Sequence, residues 1–257
     1  MPLDDHKFIF IGGLQRSGTS LLYQLIGEHP LVSGLKNTGA VGDEGQNLQS
    51  VYRPGWVYGG PGKFGFFPEA HLTEVSALVS PANRLKMFSE WGKYWDLSKP
   101  FLLEKSPANL IKTRFLQALF PNSYFIIIHR HPVPNAYATK KWSRTPLYSL
   151  IKHWVLCHET FYGDKDKLKN LYIVKYEDLI QRPPRVLEAI FHFLGLEPHI
   201  SRSISEVRSD GNKKYFELWD KDQKNFILRP YCKFIKDRFA KNIEKFGYSF
   251  QINDHMA

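Results

Sequence analysis

A short apolar run that breaks into a glycine turn constrains this chain more than any other feature. Residues 7–11 read Lys-Phe-Ile-Phe-Ile, and residues 13–20 then read Gly-Leu-Gln-Arg-Ser-Gly-Thr-Ser. A helix is predicted from Gly18, because Leu21, Leu22, Leu25 and Ile26 recur at helical spacing. A buried strand feeding a turn and then a helix calls for a parallel sheet wrapped by crossover helices. The turn is one residue from a nucleotide-binding P-loop. Thr19 stands where that motif carries lysine, and Arg16 lies three places earlier. Unpaired N–H groups at such a helix start collect anions. Gly13, Gly18, the hydroxyls of Ser17, Thr19 and Ser20, and the Arg16 guanidinium therefore form a candidate phosphate cradle.

The rest of the chain repeats the alternation. Strands are predicted at 101–103, 123–130 and 171–176, and helices at 81 to the mid-nineties, 133–142, 147–165 and 185–194. Ser106-Pro107 opens a further helix, and Gly195 ends the one before it. Residues 31–79 are rich in glycine and proline, a segment long enough to be functional. The length suits one large α/β domain.

Lysine and arginine exceed aspartate and glutamate by ten, 35 against 25, which fits a polyanionic partner such as a nucleotide. Cys157 and Cys232 have no metal-ligand spacing and read as free thiols. The first strand begins too early to leave room for a leader, and no apolar run reaches membrane-spanning length. A cytoplasmic location is expected. A magnesium-dependent ATP site would carry an aspartate at the end of a second buried strand. Here the strand ends are Glu104-Lys105 and His129-Arg130, so the expected site is lined by cations and holds no metal.

The stretch GGLQRSGTSLLYQLIGEHP resembles the phosphosulfate loop of sulfotransferases that use 3′-phosphoadenosine 5′-phosphosulfate (PAPS), in particular the bacterial and tyrosylprotein branch. LLEKSPANL, FIIIHRHPVPNAYATKKW and YIVKYEDLIQRPPRVLEAIFHFLGL are similar to three further segments of that family, in the same order. The resemblance implies a P-loop-NTPase-like three-layer α/β fold, a central parallel sheet flanked by helices. It implies one sulfotransferase domain over 1–257, with 31–79 on the acceptor side and a mostly helical region at 197–257. PAPS is the implied donor and PAP (3′-phosphoadenosine 5′-phosphate) its product. The sulfuryl group passes to a hydroxyl or amine of a small-molecule, saccharide or peptide acceptor. A nucleotide kinase or NTPase with a degenerate P-loop is the alternative, and a nucleic-acid module finds no signature.

Sulfuryl transfer needs positive charge at the bridging oxygen and a base for the acceptor proton. Arg16 and Lys105 are the natural cations, and Lys105 stands where the resemblance puts a functional lysine. Arg130 is assigned by the resemblance to the donor 3′-phosphate. The serine expected eight residues later is Ala138, so Thr139 or the pair Lys140 and Lys141 takes its place. Tyr176 packs on the nucleotide or forms a core edge, and Lys213 and Lys214 close over the donor or form a solvated turn. For the base, the tyrosylprotein branch implies a glutamate after the loop helix, where Asp43 and Glu44 lie. Glu44 is favoured, and His71 is its rival. Tyr52, Trp56, Tyr58, Phe64, Phe66 and Phe67 are candidates for the acceptor pocket or for core.

Overall fold

The computed structural model describes residues 2–251. Strands β1 (Lys7–Gly12), β2 (Val32–Gly34), β3 (Phe101–Lys105), β4 (Ser123–His129) and β5 (Leu171–Lys175) form an all-parallel sheet in the order β2-β3-β1-β4-β5. β2 and β3 lie on one side of β1 and β4 and β5 on the other, and in open parallel sheets ligands bind at the strand C-termini beside such a switch point. The phosphate-loop candidate leaves β1 there.

Alternation along the strands decides which helices cover which face. Ile9, Ile11, Leu103, Ile126 and Ile128 face α1 (Thr19–Gly27) and, further along the chain, the Pro183–Leu194 helix. Phe8, Phe10, Leu102 and Phe125 face α2 (Pro81–Gly92) and α3 (Thr113–Leu119). Ile127 joins a third cluster with α4 (Pro132–Ser143) and α5 (Leu147–Asp164). After β5 come α6 (Tyr176–Gln181), α7 (Pro183–Leu194), α8 (Lys213–Lys224) and α9 (Arg229–Glu244), and the last two pack on α4 and α5. This is the expected three-layer α/β arrangement of P-loop-NTPase type.

Several boundaries differ from the sequence reading. Residues 31–79 hold the edge strand β2 and a string of short 3-10 turns. A three-residue strand is too short to leave an alternating pattern. Ser106-Pro107 opens a 3-10 segment, Pro107–Ile111, before α3 begins. Tyr176 starts α6 and does not end a strand. Residues 252–257 of the C-terminal region lie outside the described residues.

Candidate active site

The cradle requires glycine at two points. Gly13 has φ 153°, and a Cβ there would lie 2.5 Å from the Ile128 carbonyl oxygen. Gly18 caps α1 at φ 97°, and a Cβ there would lie 2.5 Å from Cδ2 of Tyr176. Arg16 adopts φ 68°, a left-handed conformation costly for a residue with a Cβ. That turn throws its side chain outward, where the guanidinium stacks 4.6 Å above Trp142. The N–H groups of Gly18, Thr19 and Ser20 have no protein acceptor among the described residues. Beneath the loop, Asn135 Nδ2 donates to the Gln15 carbonyl (2.8 Å) and to Ser17 Oγ (3.0 Å). Thr139 is buried there too, with Oγ1 3.5 Å from the same carbonyl.

Arg130, immediately after β4, is 5% exposed and ties three segments together. Nη1 donates to the Arg16 carbonyl (2.6 Å), Nη2 to the Gly211 carbonyl (2.8 Å) and Nε to Asn212 Oδ1 (2.8 Å). Its guanidinium lies 4.3 Å from the Tyr176 ring and 5.4 Å from Tyr215. Burial presses its pKa downward, with Tyr176 and Glu177 opposing, yet arginine stays charged. All three hydrogen-bond acceptors are neutral, so they satisfy the donors without cancelling the charge. Asn212 is itself held by Glu177, whose Oε1 accepts from Asn212 Nδ2 (2.7 Å) and the His131 N–H (3.1 Å). Tyr176 is a spacer between Gly18 and Gly211, with Arg130 on its face. Lys213 is exposed at the start of α8, and Lys214 and Lys141 approach the Tyr215 ring at 5.0 and 5.8 Å.

Lys105 and Glu44 meet at the end of β3. Lys105 is 1% exposed, and its Nζ donates to the Gly42 carbonyl (2.9 Å) and to Glu44 Oε1 (3.3 Å). The register pairs Lys105 with Ile11, two residues before Gly13, so β3 ends beside the strand that feeds the cradle. Glu44 Oε2 accepts from Gln46 Nε2 at 2.6 Å. The turn carrying Glu44 is anchored by Glu104: its Oε1 accepts from the Gly45 N–H (2.9 Å) and Ser106 Oγ (2.5 Å), and its Oε2 from Asn109 Nδ2 (2.5 Å). Burial raises the Glu104 pKa to about 7 against those hydrogen bonds. Asp43 is used locally, its Oδ1 accepting from Thr38 N and Oγ1.

His71 sits elsewhere. Its Nε2 is 2.6 Å from Asp164 Oδ2 at the end of α5, and Arg114 takes the other carboxylate oxygen at 2.9 Å. The structure therefore brings Glu44, and not His71, to Lys105. Of the aromatics in 52–67, Tyr52, Tyr58 and Phe64 are buried, whereas Trp56, Phe66 and Phe67 remain exposed. Sequence reading missed Asn135, Glu177, Asn212 and the anchoring role of Glu104. The only signal available was their closeness in sequence to Arg130, Tyr176, Lys213 and Lys105.

Burial in α5 also fixes a pH response. His153 and His158 are fully enclosed, and desolvation holds both pKa values down to about 3. The unfolded chain binds protons on these rings below their ordinary pKa of about 6.5, and the folded chain does not. Their contribution is present above that value and is lost progressively as pH falls from there toward 3. Glu104 acts with the opposite sign, since its raised pKa favours the folded state at lower pH, but that one carboxyl opposes four imidazoles, because burial holds His29 and His129 down as well. Melting temperature should thus fall between pH 6.5 and 4. A rising melting temperature over that range would contradict the assignment of neutral, buried rings.

A sequence model of the sulfotransferase family matches residues 9–199. Protein-tyrosine sulfotransferase 2 of Gallus gallus is 26% identical over 207 residues, covering 76% of this chain and 52% of the relative. A putative protein-tyrosine sulfotransferase of Caenorhabditis briggsae is 26% identical over 201 residues, covering 74% and 66%. The chain thus spans about half to two thirds of the length of these curated relatives. Sulfotransferase STF9 from Mycobacterium avium superposes with a TM-score of 0.53 at 13% identity, covering 95% of this chain and 77% of that one. Sulfotransferase STF1 from Mycobacterium tuberculosis H37Rv gives 0.52 at 17% identity, with 92% and 77% covered. At these identities the solved structures share the fold.

Proposed function

Since the chain belongs to the sulfotransferase family, we propose that it uses PAPS as donor and transfers the sulfuryl group, without a metal, to a hydroxyl or amine of an acceptor. The observation that carries this reading is the Lys105–Glu44 pair at 3.3 Å at the end of β3, the strand paired with β1, which feeds a helix start with unpaired N–H groups. A bound donor supplies the sulfuryl group and a phosphate leaving group. Gly13, Ser17, Gly18, Thr19, Ser20 and Arg16 hold the 5′-phosphosulfate, and the Lys105 ammonium stabilises charge on the leaving oxygen. Glu44 takes the acceptor proton as general base, its carboxylate oriented by Gln46 and by the Glu104-anchored turn. Arg130 holds the 3′-phosphate by its charge, with Lys213 closing over it. Thr139 lies beneath the loop, so Lys141 and Lys214, exposed beside Tyr215, are the nearer reserve of charge. A magnesium-dependent kinase reading has less support, because both oxygens of the strand-end Glu104 are occupied by protein donors.

The acceptor is a small molecule, saccharide or peptide, and the exposed Trp56, Phe66 and Phe67 suit an apolar or aromatic portion of it. Tyrosine-containing peptides head an acceptor screen with labelled PAPS, given the names of the two 26%-identical relatives. The reading is tested by thermal shift. PAP without metal should raise the melting temperature strongly, while magnesium-ATP and a short DNA duplex should not. Stabilisation by magnesium-ATP alone would overturn it.

A further inference from the structure

The corner between α8 and α9 exposes apolar side chains that neither the sheet nor the candidate site uses. Phe226 is 92% exposed and Ile227 78%, with Leu228 beside them in sequence, whereas Phe234 on α9 stacks on Tyr148 at 5.4 Å. The two helices need no such residues for packing: α8 buries Tyr215, Phe216 and Trp219, and α9 buries Cys232, Ile235, Phe239 and Ile243. The corner is nonetheless a built turn. Asn225 Oδ1 accepts from the N–H groups of Ile227 (2.9 Å) and Leu228 (3.1 Å), and the Asn225 carbonyl accepts from the Arg229 N–H (2.9 Å). Its backbone donors are thus largely satisfied internally, which lowers the cost of placing it in a medium poorer in water.

Charge identifies what the corner meets. Residues 221–241 carry seven lysines and arginines against two aspartates, half of the chain's formal +10. Lys221, Lys224, Arg229 and Lys233 are exposed on either side of the apolar tip. Lys224 and Lys233 make exposed pairs with Asp220 and Asp237, contacts that compete poorly with a dense array of phosphates. Asp222 is engaged by the Tyr137 hydroxyl at 2.6 Å. A second copy of the chain would bring the same cations against themselves. An apolar tip within a basic collar instead matches an anionic bilayer, whose acyl boundary takes the former and whose headgroups take the latter. We propose that the α8–α9 corner docks this protein on anionic lipid membranes, with Phe226 and Ile227 entering the interface.

The test is vesicle flotation of the full chain on phosphatidylcholine alone and on phosphatidylcholine with phosphatidylglycerol, at low and high salt. Bound protein should be about ten-fold greater on the anionic vesicles and should fall at high salt. The double variant Phe226→Ser, Ile227→Ser should lose about ten-fold of that binding, and Lys221→Glu, Arg229→Glu should abolish the preference for anionic lipid. These positions are exposed, so both variants should keep the wild-type melting temperature and its response to PAP. Wild type that stays unbound on phosphatidylglycerol, or that binds as well after the Phe226 and Ile227 substitutions, overturns the proposal. So does sedimentation showing a dimer that those two substitutions dissolve.

Discussion

Arg130→Ala removes most of the stabilisation that PAP gives the wild-type protein. A buried guanidinium with only neutral hydrogen-bond partners keeps its full charge for an anion, and losing one member of such a charged pair costs about 2–5 kcal/mol. PAP affinity should therefore fall by roughly two orders of magnitude. The substitution also leaves Asn212 and the carbonyls of Arg16 and Gly211 without their donor, so the unliganded protein melts lower as well. Titration calorimetry with PAP, at a temperature where both proteins are folded, separates the two effects. Arg130→Lys should fall between wild type and alanine, because the charge survives but the three-way fork does not. An alanine variant that binds PAP within about three-fold of wild type, well under 1 kcal/mol, would remove Arg130 from the donor site.

Glu44→Gln should slow PAPS turnover by about 10²–10⁴-fold, the range of a general base, and leave PAP affinity unchanged. The amide keeps an oxygen for Lys105 and so preserves the local packing while losing the proton acceptor. His71→Ala should behave in the opposite way. It breaks the contact with Asp164 and lowers the melting temperature, with turnover near wild type. Single-turnover measurements with labelled PAPS read both outcomes. Wild-type turnover in the Glu44 variant would move the base elsewhere, and loss of turnover in the His71 variant would point to that ring.

The glycine turn was legible because its parts are contiguous: Gly13 to Ser20 carry both the backbone demand and the donors. The sheet was legible wherever a strand was long and buried, as in β4. It was not at β2, whose three residues sit in a glycine-rich stretch. Lys105 and Arg130 stood out as cations at the ends of apolar runs. Their partners did not, because Gly42, Gly211 and Asn212 lie 63, 81 and 82 residues away in sequence. Glu104 shows the same limit in another form. A carboxylate beside a lysine reads as surface charge, and only burial turns it into the anchor of a neighbouring turn. The choice between Glu44 and His71 was likewise beyond spacing, since it depends on which loop folds onto β3.

The fork of Arg130 has a consequence for how the chain reaches its working form. One side chain holds the Arg16 carbonyl on the first crossover and the Gly211 carbonyl on the last quarter of the sequence. Contacts of such separation are expensive in loop-closure entropy and form late. During synthesis the N-terminal strand and helix emerge long before residues 211 and 212 exist. The cradle can exist as a glycine turn early, but the contacts of Arg130 close only after residues 211 and 212 have been made. On the proposed function, the donor site is therefore complete only once this single set of hydrogen bonds has formed.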